Sequence, residues 1–70
     1  MNNLYTALIK QEDDCWIGWI EEIPGVNCQE VTREKLLQSL RVTLKEALEI
    51  NRQQAISAAG NKFTEESIAL

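Results

Sequence analysis

The side chains in this sequence that could do chemistry are carboxylates and thiols: 11 Asp and Glu and two Cys, with no His. Without an imidazole, neither a Ser-His nor a Cys-His nucleophile pair can be built. A cysteine nucleophile would need another base or a helix terminus to raise its thiolate fraction. Neither Cys15 nor Cys28 is placed beside one. The two cysteines also lack the close pairing, and the companion ligands, of a zinc site. Glu21-Glu22 suggests paired carboxylates, but neighbouring residues of a strand point to opposite faces and do not share a substrate. Asp13-Asp14 reads as two solvated acids at a hairpin tip. No Gly-rich phosphate loop occurs. These residues point to binding: no enzyme activity, cofactor or metal is expected.

Charge and size narrow the partners. The net charge is −4, from 11 acids against 7 bases. Phosphate-backbone binding calls for a basic footprint, so direct nucleic-acid binding is not expected. No apolar run approaches the roughly 20 residues of a membrane span, and Met1-Asn2-Asn3-Leu4-Tyr5 is not a signal-peptide start. A cytoplasmic protein is expected. A hairpin centred on Pro24 would put Cys28 opposite about residue 20. Cys15 would then lie beyond the roughly 4.4–6.8 Å Cα separation of a disulfide, which predicts free thiols. With 70 residues a chain buries only about 60% of its unfolded surface. Disulfide and metal being disfavoured, oligomerisation is the expected supplement to the core.

The elements that must position these groups centre on Trp16-Ile17-Gly18-Trp19-Ile20-Glu21-Glu22-Ile23-Pro24-Gly25. It reads as a strand over 15–22 running into a reversal. Pro24 and Gly25 suit positions i+1 and i+2 of a type II turn. A first strand is expected over 4–11, where Tyr, Thr and Ile favour extension, and a more polar edge strand over 26–31. Thr32 caps a helix, Glu34 suits its first turn, and Lys35 at N3 leaves the reciprocal capping box unformed. Strong helix formers run unbroken from Arg33 to about Gln54, and Ala55 to Ala59 is an optional continuation, with Gly60 at C′. Phe63 to Leu70 reads as a short terminal strand or a frayed tail; the strand is preferred because it gives Phe63, Ile68 and Leu70 a neighbour.

Strand alternation puts Trp16, Gly18 and Ile20 on one face, and Cys15, Ile17 and Trp19 on the other. Both faces are apolar, whereas a sheet with one wet face alternates apolar and polar residues. A helix can cover one; the second needs another cover. Gly18 permits close approach of a neighbour or marks a bulge. Leu37, Leu40, Leu44, Ala47 and Leu48, with Leu36 beside them, form the expected buried stripe of the helix. The tryptophans are either both core, or one anchors a partner interface, where tryptophan is enriched.

The order of these features resembles the HicB-like antitoxin family. The resemblance rests on Tyr5-Thr6-Ala7-Leu8-Ile9, the acidic loop Glu12-Asp13-Asp14, the strand ending Glu22-Ile23-Pro24-Gly25, then Gln29, and Thr32 opening the helix 33–50. It covers about residues 4–52. The chain departs from the family at Val26, at Cys28 and at Glu30-Val31, so its strand-to-helix corner is built without glycine. Family members usually continue into a DNA-binding segment; residues 53–70 are too few for a helix-turn-helix and are not basic.

The resemblance implies a fold like a truncated ribonuclease H. The activity of that enzyme needs carboxylates on core strands, and Leu4 to Gln11 carries none. A small nuclease would have to rest on Glu21, Glu22 or Glu30.

The expectation is an α+β fold, a three-stranded antiparallel sheet with one helix packed on it (β-β-β-α), and a short fourth C-terminal strand as an option. Residues 1–54 form the domain; 55–70 form the helix end and the tail or strand. The expected function is a non-catalytic HicB-like protein-binding module, with a HicA-like RNA-cleaving toxin as the partner the resemblance implies. The alternative is a self-associating structural or regulatory subunit, dimeric or higher, with no toxin. The residues assigned to partner binding are Trp16, Ile17, Trp19, Phe63 and Ile68.

Overall fold

The structure, a computed structural model, describes residues 4–70. Three strands, β1 (Ala7–Glu12), β2 (Cys15–Ile20) and β3 (Asn27–Glu30), precede one helix, α1 (Arg33–Ala59). The sheet is antiparallel in the order β1-β2-β3, and α1 covers one of its faces. This is the expected α+β arrangement.

Local chemistry accounts for each reversal. β1 and β2 are joined by Asp13-Asp14 alone, with Glu12 opposite Cys15. Asp13 takes φ 53, the positive value a two-residue hairpin needs at its first loop position; aspartate tolerates it better than most residues. Gly25 carries φ 89, as the third residue of a type II turn requires after Pro24. Thr32 is extended at φ −131, and its Oγ1 accepts the Lys35 N–H at 3.1 Å, which supplies one orphan amide of the helix with a partner. At the other end Gly60, φ 81, donates its N–H to the Ile56 carbonyl at 3.3 Å.

The core is small: Ile20, Val26, Leu36 and Leu40 are buried, and Ala7, Ile9, Trp16, Ile23, Cys28, Leu44 and Ala47 pack around them. Gly18 is the point where helix and sheet meet. A Cβ there would stand 2.9 Å from Ile9 Cγ2, 3.1 Å from Leu40 Cδ1 and 3.1 Å from the Leu8 carbonyl oxygen. The pairing runs through Gly18 without interruption, so close approach, not a bulge, explains the glycine. Ser39 Oγ donates to Glu30 Oε2 at 2.6 Å, and Cys28 Sγ lies 3.4 Å from Thr43 Oγ1; both contacts tie α1 to β3.

Four expectations are corrected. Cys28 lies opposite Gly18, not residue 20, because the β2–β3 connection is centred on Ile23, one residue before Pro24. The thiols themselves are free, as the sequence predicts, and lie on opposite faces of the sheet, since Cys28 packs against the core under α1. The helix stripe is centred on Leu36 and Leu40, while Leu37 is 37% exposed. Glu21 and Glu22 lie past the end of β2, in the connection itself. Residues 61–70 form no strand. A strand needs a free sheet edge beside it, and α1 delivers this segment past the sheet: 27 helical residues rise about 40 Å, twice the roughly 20 Å of a six-residue strand.

No helix among the described residues is long and apolar enough to cross a membrane.

A candidate protein-binding face

The face of the sheet away from α1 carries Leu8, Lys10 and Glu12 from β1, Cys15, Ile17 and Trp19 from β2, and Asn27 and Gln29 from β3. The register sets its rows: Leu8 opposite Trp19 and Trp19 opposite Asn27, then Lys10 opposite Ile17 and Ile17 opposite Gln29. Trp19 is 40% exposed and Leu8 41%. With Ile17 they make an apolar patch that has polar side chains beside it. Trp19 also borders a shallow hollow of about 520 Å³ shared with Pro24, Val26 and Asn27.

These polar neighbours are electrically quiet. Lys10 Nζ and Glu12 Oε1 stand 3.8 Å apart, with about half of each side chain exposed, and such surface pairs contribute little. Gln29 Nε2 donates to Cys15 Sγ at 3.2 Å. An apolar patch beside neutralised polar side chains suits protein contact.

Two of the three carboxylates weighed as catalytic candidates, Glu22 and Glu30, have structural partners. Glu30 accepts from Ser39. Glu22 Oε1 accepts the Thr6 backbone N–H at 2.8 Å. That hydrogen bond is the main reason the Glu22 carboxyl is held below the ordinary glutamate range; its side-chain counterpart at Thr6 adds to it, and slight desolvation opposes. Among the described residues no group of three or more His, Cys, Asp or Glu side chains is gathered to hold a metal ion.

The five residues assigned to partner binding do not form one surface. Ile17 and Trp19 stand together on the open face. Trp16 is on the covered face, packed against the core. Phe63 is 44% exposed beyond the sheet, in a hollow with Arg52, Ala55, Ile56 and Ala59, and Ile68 is 84% exposed in the tail. Leu8 was missed. The signal was present, since a two-residue turn at Asp13-Asp14 fixes Leu8 opposite Trp19.

Compared with known proteins, the chain matches no family model, no curated protein and no solved structure.

Proposed function

We propose that this chain is a non-catalytic protein-binding module that presents the Leu8–Ile17–Trp19 face to its partner. The observation that carries the reading is Trp19: a large aromatic side chain held on the middle strand, 40% exposed on the sheet face that α1 does not cover. Aromatic anchors of this kind dominate the energetics of protein interfaces.

The resemblance of residues 4–52 to HicB-like antitoxins supports a basic HicA-like RNA-cleaving toxin as the partner, and so does a net charge of −4, because complementary charge steers association. The two free thiols support a cytoplasmic setting. The test is capture by the tagged chain from its native cell, alongside Trp19→Ser. A small basic protein should be retained in fixed ratio by the wild type, its RNA cleavage should be suppressed by the complex, and the variant should lose it. Equal retention by Trp19→Ser, or no retained protein, overturns the reading.

A specific observation favours self-association as a second reading. A compact protein of 8.0 kDa exposes about 4,500 Å², whereas this chain exposes 6075 Å². The excess, about 1,600 Å², is twice what one partner contributes to a standard interface.

A further inference from the structure

The excess surface calls for more than the open sheet face. Three strands by at most six residues cover only about 300 Å², well short of the roughly 800 Å² per partner of a stable complex. Among the described residues two other features are left largely open, and they complement each other.

The first is the outer edge of β1, which among the described residues pairs with β2 alone. A two-residue loop makes Glu12 and Cys15 a hydrogen-bonded pair, so Leu8, Lys10 and Glu12 bond inward to β2. The Glu21 N–H donating to the Thr6 carbonyl at 2.8 Å continues the same alternation. Ala7, Ile9 and Gln11 therefore direct their N–H and C=O groups outward. Beside this edge, between sheet and helix, runs a groove of about 500 Å³ lined by Leu4, Tyr5, Ala7, Leu37 and Leu44, with Arg41 the one charged residue among the described lining residues. Leu4 is 86% exposed.

The second feature is the segment 63–70, which has no secondary structure and leaves Ile68 and Leu70 exposed. Its sequence, Phe63-Thr64-Glu65-Glu66-Ser67-Ile68-Ala69-Leu70, alternates in a way that fits the groove. If Ile68 points into it, Glu66 falls on the same side, facing Arg41, and Glu65 falls on the side of Lys10. The chain's own tail leaves this groove open. Phe63 sits against Arg52, Ala55, Ile56 and Ala59, one end of α1 away from Leu37.

We propose that residues 63–70 of one copy add as a fourth strand to the β1 edge of a second copy, with Ile68 in the groove and Glu66 against Arg41. The exchange is reciprocal, so two copies close with two-fold symmetry and each removes a free sheet edge of the other. The proposal rests on the self-association reading and leaves the Trp19 face available to a different protein.

The experiment is solution mass by light scattering over a concentration series, joined to amide hydrogen exchange of the full chain. The expected result is twice the chain mass, with slow exchange at Ala7, Ile9 and Gln11. Ile68→Asp changes an exposed side chain and should leave the circular dichroism intact. It should weaken the dimer at least tenfold and free those three amides. Arg41→Glu should weaken it too, and adding Glu66→Lys to Arg41→Glu should restore it. A monomer at every concentration overturns this proposal and the self-association reading together. A dimer that survives Ile68→Asp, or that never protects those amides, overturns this proposal alone.

Discussion

Thr6 and Glu22 act as a latch between the start of β1 and the connection that leaves β2. Thr6 donates its N–H to the Glu22 carboxylate at 2.8 Å and accepts from the Glu21 N–H at 2.8 Å. Because the hydrogen bond favours the charged carboxylate, the folded-state value lies below the ordinary 4.5. A depressed carboxyl stabilises the fold above its unfolded value, and that contribution disappears as pH falls through the lowered folded value. Glu22→Gln should therefore be less stable than wild type at pH 7, and the gap should close in acid below 4.5. Thermal melts at pH 7 and pH 3 check this; a gap that stays constant, or widens in acid, shows that the latch does not depend on charge. The role was not legible in the sequence, where Glu22 appears as half of an acidic pair and its partner sits far back along the chain.

Gly18 decides how closely α1 can lie on the sheet. An added methyl would meet Leu40 Cδ1, Ile9 Cγ2 and the Leu8 carbonyl oxygen at 2.9 to 3.1 Å. The two side-chain ends can rotate away, but the carbonyl belongs to a paired strand and cannot. Overpacking costs about 1–3 kcal/mol, against a gain of at most about 1 kcal/mol from a stiffer unfolded chain. Gly18→Ala should therefore lower the urea midpoint; a midpoint that is unchanged or raised would mean the helix lifts freely.

At this level much of the fold was readable. The Thr32 cap, the Pro24-Gly25 turn and the hairpin at Asp13-Asp14 are each set within four residues by backbone chemistry. What was not readable was alignment between elements. Leu36 and Leu37 are adjacent leucines, and periodicity alone does not choose which faces the sheet. The β2–β3 register depended on loop residues that carry no length signal.

The whole molecule is drawn out: its radius of gyration is 15.3 Å, where a compact chain of this length has about 11 Å. The cause is α1. Its last core-packed residue is Ala47, and the turns from Leu48 to Ala59 extend with little beneath them. Helical turns without tertiary packing are marginal in water. At concentrations where the chain is monomeric, amides from Leu36 to Ala47 should exchange near the global unfolding limit, and those of Arg52 to Ala59 much faster. Uniform protection along α1 would show that Phe63 and its neighbours stabilise the overhang fully. The sequence showed the helix but not this overhang, because helix formers continue unchanged past the point where the sheet ends. The open face was half legible: alternation in β2 set Ile17 and Trp19 apart from Trp16, while the side that α1 would cover depended on packing.

The consecutive strand order has a consequence for how quickly the native state is reached. Every strand neighbour in space is also the next strand in sequence, joined through residues 13–14 or 21–26. The chain never has to bring distant segments together to form its sheet, so little loop entropy opposes the search. Assembly resembles the closing of a zip from the Asp13-Asp14 tip, and such local topologies fold on the order of milliseconds or faster. The slow step then falls to the docking of α1 on the sheet, where Leu40 has to seat over Gly18.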